Sequence, residues 1–454
     1  MADPTRLNIL DFGAVADDST INTSAIQQAI DTATAAGGGT VVVPPGSFRT
    51  GTLTLASNLT LEIQTGAKLI GSENMEDYPP LPPRHNPFDH KDLQPYNLIR
   101  ALDATNVTIC GGGQICGSGP AFWDPPSKCE FYTEKDRRPC PMIDLTDSAD
   151  IRIRDVAIVD SPGWTVHICR CRNVRIQGID IRNSLIGPNT DGLDITDSSD
   201  VFISDCNVVC GDDAIVLKSL GGTNERICVT NCTLQTRCSA LKLGANESLG
   251  TIRQIAMSNC VVRDSSRGVS LYCMTGGTFE DVVIDNLVLE CDNDLKLVCP
   301  IHINVSRNPD PVRDSGVGAI RNVRIANVLC TSDARILLTA EAPGMLENIH
   351  LSEIHMTYHR IEDEFELARK AVGLQFSPFN PDARAAKACI AAENIRGLSL
   401  RNISTTWPEN TEVPMHLLWA RNVQGGLVDC PLGGPSRSGV ERFDVENSQL
   451  TIRD

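Results

Sequence analysis

The chain has 454 residues, a formal net charge of −17, 41% apolar and only 4% aromatic residues, with 35 glycines and 26 prolines. A field of that sign repels phosphate backbones and argues against nucleic acid as a partner, and no apolar run approaches the ~18 residues of a membrane span. Few aromatics and many turn formers imply short strands around a Val, Ile, Leu and Cys core, and the length admits several domains or one long all-β fold.

The opening MADPTRLNILDFGAVADD has no basic and then apolar leader. No secretory signal is visible, so a cytoplasmic location is expected unless a leader has been removed. Residues 23–39, TSAIQQAIDTATAAGGG, read as an amphipathic helix that Thr23 or Ser24 caps and the glycines stop. Such a helix would cover the first coil of a strand stack and protect its open edge. PPGSFRTGTLTLASNLTLEI, from 44, then opens the stack, and a loop of mixed polarity at 117–140 interrupts it.

Short alternating segments follow: IRIRDVAIVD from 151, VRIQGIDIRN from 174, VFISDCNVVC from 201, ICVTNCTLQT from 227, IAMSNCVVRD from 255, VVIDNLVLEC from 282, VRIANVLC from 323 and IHLSEIHMT from 349. Most steps are 23 to 28 residues, with insertions at about 292–318 and 359–396. A regular period of β-branched alternating segments is the mark of a solenoid, whereas helical repeats show spacings of three and four. The expectation is an all-β, single-domain parallel β-helix with an N-terminal capping helix and loop insertions. Its parts would be a cap and first coils (1–60), main coils (61–358), an insertion (359–396) and C-terminal coils with a cap (397–454).

The chain has 18 cysteines but is far too long for a stapled miniprotein. Cys206, Cys232 and Cys260 fall at one place in three coils and are expected to stack as buried thiols. Cys129 and Cys140, in the loop, are the candidates for an oxidised pair. Asn58 and Asn231 head N-x-T sequences, which turn asparagines explain at least as well as glycosylation does.

One stretch, NTDGLDITDSSDVFISDCNVVCGDDAIVLKS at 189–219, places Asp191, Asp212 and Asp213 in two polar breaks between apolar strands. Aligning coils sets DGLDIT (191–196) beside DAIVLK (213–218), SALKLG (239–244) and RGVSLY (267–272). Asp191 and Asp213 then occupy equivalent positions, about 4.8 Å apart by strand spacing, and Asp212 leaves its turn in another direction. Like charges that close resist joint ionisation, so at least one pKa should rise, and an acid beside a water-holding carboxylate pair suits glycoside hydrolysis. Any one of these aspartates alone fits a turn cap better; three converging do not.

The same alignment lines one outward row with His167, Asp194, Lys218, Lys242, Ser270 and Tyr272. His167 either contacts a sugar hydroxyl or ends the row harmlessly. Lys218 and Lys242 either bind a uronate or balance buried carboxylates. Trp123, like Tyr132, either stacks on a sugar face or fills a small core of its own loop.

The stretch NTDGLDI…GDDAIVLKS, with DFGAVADD, AGGGTVVVPPGSF and SPGWTVH, resembles glycoside hydrolase family 28, the polygalacturonase-like pectin hydrolases, over most of residues 7–350. The resemblance implies a right-handed β-helix, inversion without metal or other cofactor, and a pectic carbohydrate as partner. It makes Asp212 the general acid, gives Asp191 and Asp213 the water, and assigns Asn189 to ordering the cluster. Two departures bear on substrate. Ser239 stands where polygalacturonases carry the histidine of a GHG segment, and Ser270 and Tyr272 replace the Arg and Lys of their RIK segment. The bidentate cation for a uronate is missing there, and Arg267 is the candidate to replace it from the side. Galacturonan and rhamnogalacturonan both remain as substrates, and the insertions suggest exo action. Two rival functions are a calcium-dependent lyase on the same architecture, with Lys218 or Lys242 as base, and a noncatalytic glycan-binding β-helix.

Overall fold

The structure, a computed structural model, describes residues 6–81, 86–87, 89–126, 131–291, 298–361, 380–409 and 411–453. The chain divides into two compact units, residues 1–215 and 216–454. Each is a stack of parallel coils. No described helix is long and apolar enough to cross a membrane.

In the first unit a helix, Thr23–Ala35, buries Ile26, Ala29, Ile30 and Ala33. That is one face at helical spacing. The capping residue is Asn22, one position earlier than expected, and its side chain makes no cap hydrogen bond. Its amide is committed elsewhere, accepting from Val15 N at 2.6 Å and donating to Thr20 O at 2.8 Å. Gln27 explains how the helix protects the edge. Its amide donates to Thr54 O at 3.1 Å and accepts from Thr54 N at 2.9 Å, so an otherwise open rung of Leu53–Leu55 is satisfied.

From that rung the ladder runs in constant register: Leu53, Ile99, Ile143, Val166 and Leu193 lie side by side and point inward. The next position along gives Thr54, Arg100, Asp144, His167 and Asp194 on the opposite face. A second ladder stacks Leu59, Val107, Ile151, Val174 and Val201. Alternation with period two places every second side chain inside, so burial of the β-branched set holds the register. The turn asparagines take left-handed backbone, with Asn58 at φ 61° and Asn106 at φ 59°. Asn106 Nδ2 donates to Asn58 Oδ1 at 3.1 Å, so the turns pair as well as the strands.

In the second unit Leu243, Leu271, Ile303 and Leu338 form the inner row of one sheet. Ile255, Val282, Val323, Ile349 and Leu398 form that of another. Two strands, Ile301–Val305 and Ala388–Glu393, lie inside the stretches whose long steps suggest insertions, and both are ladder rungs. Asn231 is again left-handed, at φ 57°.

The described cysteines are thiols, none of them in a disulfide. The thiols of Cys206, Cys232 and Cys260 are buried, and each donates to the carbonyl two residues earlier at 3.1, 3.3 and 3.2 Å. Of the candidate oxidised pair, Cys129 lies outside the described residues and Cys140 is a buried thiol.

Candidate active site

Two turns of the first unit bring the aspartates together. Leu193 N donates to Ala214 O at 2.9 Å and Gly192 N to Asp213 O at 2.8 Å. The offset matches that of Val166, which pairs with Leu193 and donates to Gly192 O at 3.2 Å. Asp191 and Asp213 therefore stand on adjacent rungs, about 4.8 Å apart along the stack. Both are buried. Their approach depends on two glycines: a Cβ on Gly192 would lie 2.4 Å from Ala214 O, and one on Gly211 2.5 Å from Gly187 O. Thr190 clasps the same turns, its Oγ1 accepting from Gly211 N at 3.0 Å and donating to Gly187 O at 3.2 Å.

Asp212 is half-buried and aimed elsewhere. Its Oδ1 accepts from Asp213 N at 2.9 Å, and its Oδ2 accepts from Asn189 Nδ2 at 3.4 Å. Asn189 sits at φ 49°, a conformation asparagine tolerates better than most residues. Its Oδ1 accepts from Lys91 Nζ at 3.1 Å, and the same ammonium pairs with Glu134. Burial raises the Glu134 carboxyl, but the Lys91 hydrogen bond and charge outweigh it and leave its pKa below the ordinary value. Neither Lys91 nor Glu134 stands on a repeat, so no coil alignment points to them.

The row beside this cluster is more enclosed than its outward position suggests. His167 is fully buried, with Nδ1 2.9 Å from Asp144 Oδ1 and Nε2 3.1 Å from Thr196 Oγ1. Both ring nitrogens are thus engaged within the protein, with Trp164 edge-on at 5.5 Å. Asp194 follows His167 on the next rung and is also buried. Asp144 was not singled out from the sequence, although a polar residue between two apolar ones in IDLT is the signal that marks it.

Trp123 belongs to a short hairpin, Trp123–Asp124 with Thr133–Glu134. Its ring stacks on Tyr132 at 5.7 Å and its indole N–H donates to Pro162 O at 3.0 Å. The ring thus packs on its own hairpin and on the turn at Pro162. Arg138, also in the 117–140 loop, has no exposed side-chain surface and pairs with an equally buried Asp92. Its Nη1 donates to Pro162 O and Pro188 O at 3.0 Å each. One guanidinium therefore joins three loops immediately before Asn189.

In the second unit, Lys218 lies buried on the strand Ile215–Ser219. Lys242, Ser270 and His302 form one buried row, and Ser239 pairs with Arg267. Arg267 Nη2 donates to Cys238 Sγ at 2.7 Å, and its guanidinium carbon lies 6.0 Å from the Tyr272 ring centre. Tyr272 Oη is 3.0 Å from His302 Nδ1. Burial pushes the Tyr272 hydroxyl up to about 12, so it keeps its proton at neutral pH. Burial, helped by the Arg267 charge, pushes His302 down to about 3, so the imidazole is neutral. The tyrosine then donates to Nδ1 and the proton of the ring sits on Nε2, which has no partner among the described residues. His302 lies in a long step of the repeat, which hid its place in the row.

The model of the family described as glycosyl hydrolases family 28 matches residues 34–371, a span that holds both aspartate turns. The chain belongs to family 28. Among its relatives, a probable polygalacturonase of Vitis vinifera is 30% identical over 62% of this chain and 60% of its own length. Another, an exopolygalacturonase of Zea mays, is 23% identical over 77% of this chain and 83% of its own. The chain thus spans about three-fifths of the grape relative and a larger share of the maize one. Two solved family 28 neighbours bear on the fold. An exopolygalacturonase from Thermotoga maritima superposes with a TM-score of 0.70 at 21% identity, covering 89% of this chain and 93% of that one. That from Yersinia enterocolitica does so with 0.73 at 19% identity, covering 94% and 79%. The architecture is the right-handed parallel β-helix of family 28.

Proposed function

We propose that this protein is an inverting glycoside hydrolase that cleaves galacturonan-type pectic chains. The observation that carries the reading is the pairing of Asp191 with Asp213 on adjacent rungs while Asp212 turns aside toward Asn189. Two carboxylates at that spacing hold a water between them and accept its proton as it attacks the anomeric carbon. Asp212, on the half-buried side of the turn, gives its proton to the departing glycosidic oxygen. Attack and departure on opposite faces invert the anomeric centre. Asn189 keeps the Asp212 carboxyl turned toward the bond.

Galacturonan is favoured over rhamnogalacturonan because the relatives are polygalacturonases. Exo action is supported by the exopolygalacturonase among the relatives and by the 117–140 loop, which Arg138 packs against the Asn189 turn. Asp212→Asn tests the assignment. Hydrolysis of polygalacturonate should fall by more than about 10³-fold while circular dichroism and the unfolding midpoint hold. NMR of the first product should show the anomer opposite to that of the cleaved bond. Unchanged turnover in the variant, or a product of retained configuration, would remove the reading.

A further inference from the structure

The strand that carries the uronate-binding cations in polygalacturonases has Ser270 and Tyr272 instead, so a carboxylate-bearing substrate needs a cation from elsewhere. Lys91 is placed to supply it. It stands outside the coils, its side chain is 56% exposed, and its ammonium lies 3.1 Å from Asn189 Oδ1. Asn189 in turn donates to Asp212, so one asparagine separates this cation from the proposed acid. An ammonium has three protons. Among the described residues Asn189 and Glu134 take two, while the side chain stays more than half exposed.

We propose that Lys91 is a specificity-determining residue that binds the carboxylate of a uronic acid residue flanking the cleaved bond. This rests on the hydrolase reading above. The distances favour it: Asn189 Nδ2 lies 3.4 Å from Asp212 Oδ2 and Asn189 Oδ1 lies 3.1 Å from Lys91 Nζ, so a single side chain separates the ammonium from the proposed acid. Glu134 pairs with the ammonium that also reaches Asn189 and is the carboxylate among the described residues that a uronate must share it with. A lysine here acts as a point charge that can serve two acceptors at once, which a bidentate arginine fork locked on Glu134 would not.

The test compares de-esterified polygalacturonate with its fully methyl-esterified form in the wild type, Lys91→Gln and Glu134→Gln. The wild type should show a KM about tenfold lower for the charged substrate. Lys91→Gln should bring the two KM values together, and Glu134→Gln should widen the gap. A wild-type ratio preserved in Lys91→Gln overturns the proposal. So does an equal loss of kcat on both substrates, which marks Lys91 as only a support for Asn189. If the wild type cleaves neither substrate, the hydrolase reading has failed and the specificity role falls with it. Cleavage of both at equal KM overturns the specificity role alone.

Discussion

Arg138→Met separates the electrostatic from the geometric role of the buried guanidinium. Methionine keeps most of the stem volume and removes the charge and the donors. The loss has two parts. Asp92, with no exposed side-chain surface, is left without its cation, and stranding one member of a buried pair costs about 3–5 kcal/mol. Pro162 O and Pro188 O each lose a 3.0 Å donor, roughly 1 kcal/mol apiece. Some of this is recovered as the site relaxes and water reaches Asp92, so a loss of about 4 kcal/mol is expected. Adding Asp92→Asn removes the stranded charge and should return about 2–3 kcal/mol of it. It does nothing for Pro188 O, which lies one residue before Asn189, so kcat should stay about tenfold down in both variants. Urea unfolding followed by circular dichroism at neutral pH reads the first quantity, and initial rates on polygalacturonate read the second. A single variant that loses under about 1 kcal/mol, or a double variant no more stable than the single, would refute the buried-pair argument. Recovery of kcat in the double variant would refute the link to the Asn189 turn.

Gly192→Ala should abolish activity and destabilise the first unit. Its Cβ would sit 2.4 Å from Ala214 O, so the rungs that carry Asp191 and Asp213 must part by about 1 Å, losing two ladder bonds worth roughly 1 kcal/mol each. Gly434→Ala, which meets nothing within 4 Å, is the control that should leave both rate and unfolding midpoint unchanged. His302 makes stability depend on pH in a defined window. Its folded pKa of about 3 lies below the ordinary histidine value of 6.5, so the unfolded chain binds the extra proton between those values. Stability from this group is complete above pH 6.5 and is lost progressively as pH falls toward 3. His302→Phe should therefore flatten the slope of unfolding free energy against pH across that window, and an unchanged slope would refute the buried neutral imidazole.

Much of this protein was written in periodicity. The step of 23 to 28 residues and the alternation of β-branched side chains require stacked parallel rungs, because only that packing buries Leu53, Ile99, Ile143, Val166 and Leu193 together. Coil alignment also sufficed to set Asp191 opposite Asp213, since one register serves every residue of a rung. Loops share no period, and there local reading stopped. It left Lys91, Glu134, Asp92 and Arg138 unremarked, although they pack around the Asn189 turn from 51 to 98 positions away. The long steps concealed the rungs Ile301–Val305 and Ala388–Glu393, and with them His302. The state of the outward row was likewise a tertiary outcome. His167 is committed at both nitrogens because Asp144 and Thr196 come from neighbouring rungs to meet it. Repetition determines which residues share a height along the stack; the loops that fold over it decide which of them a substrate can reach.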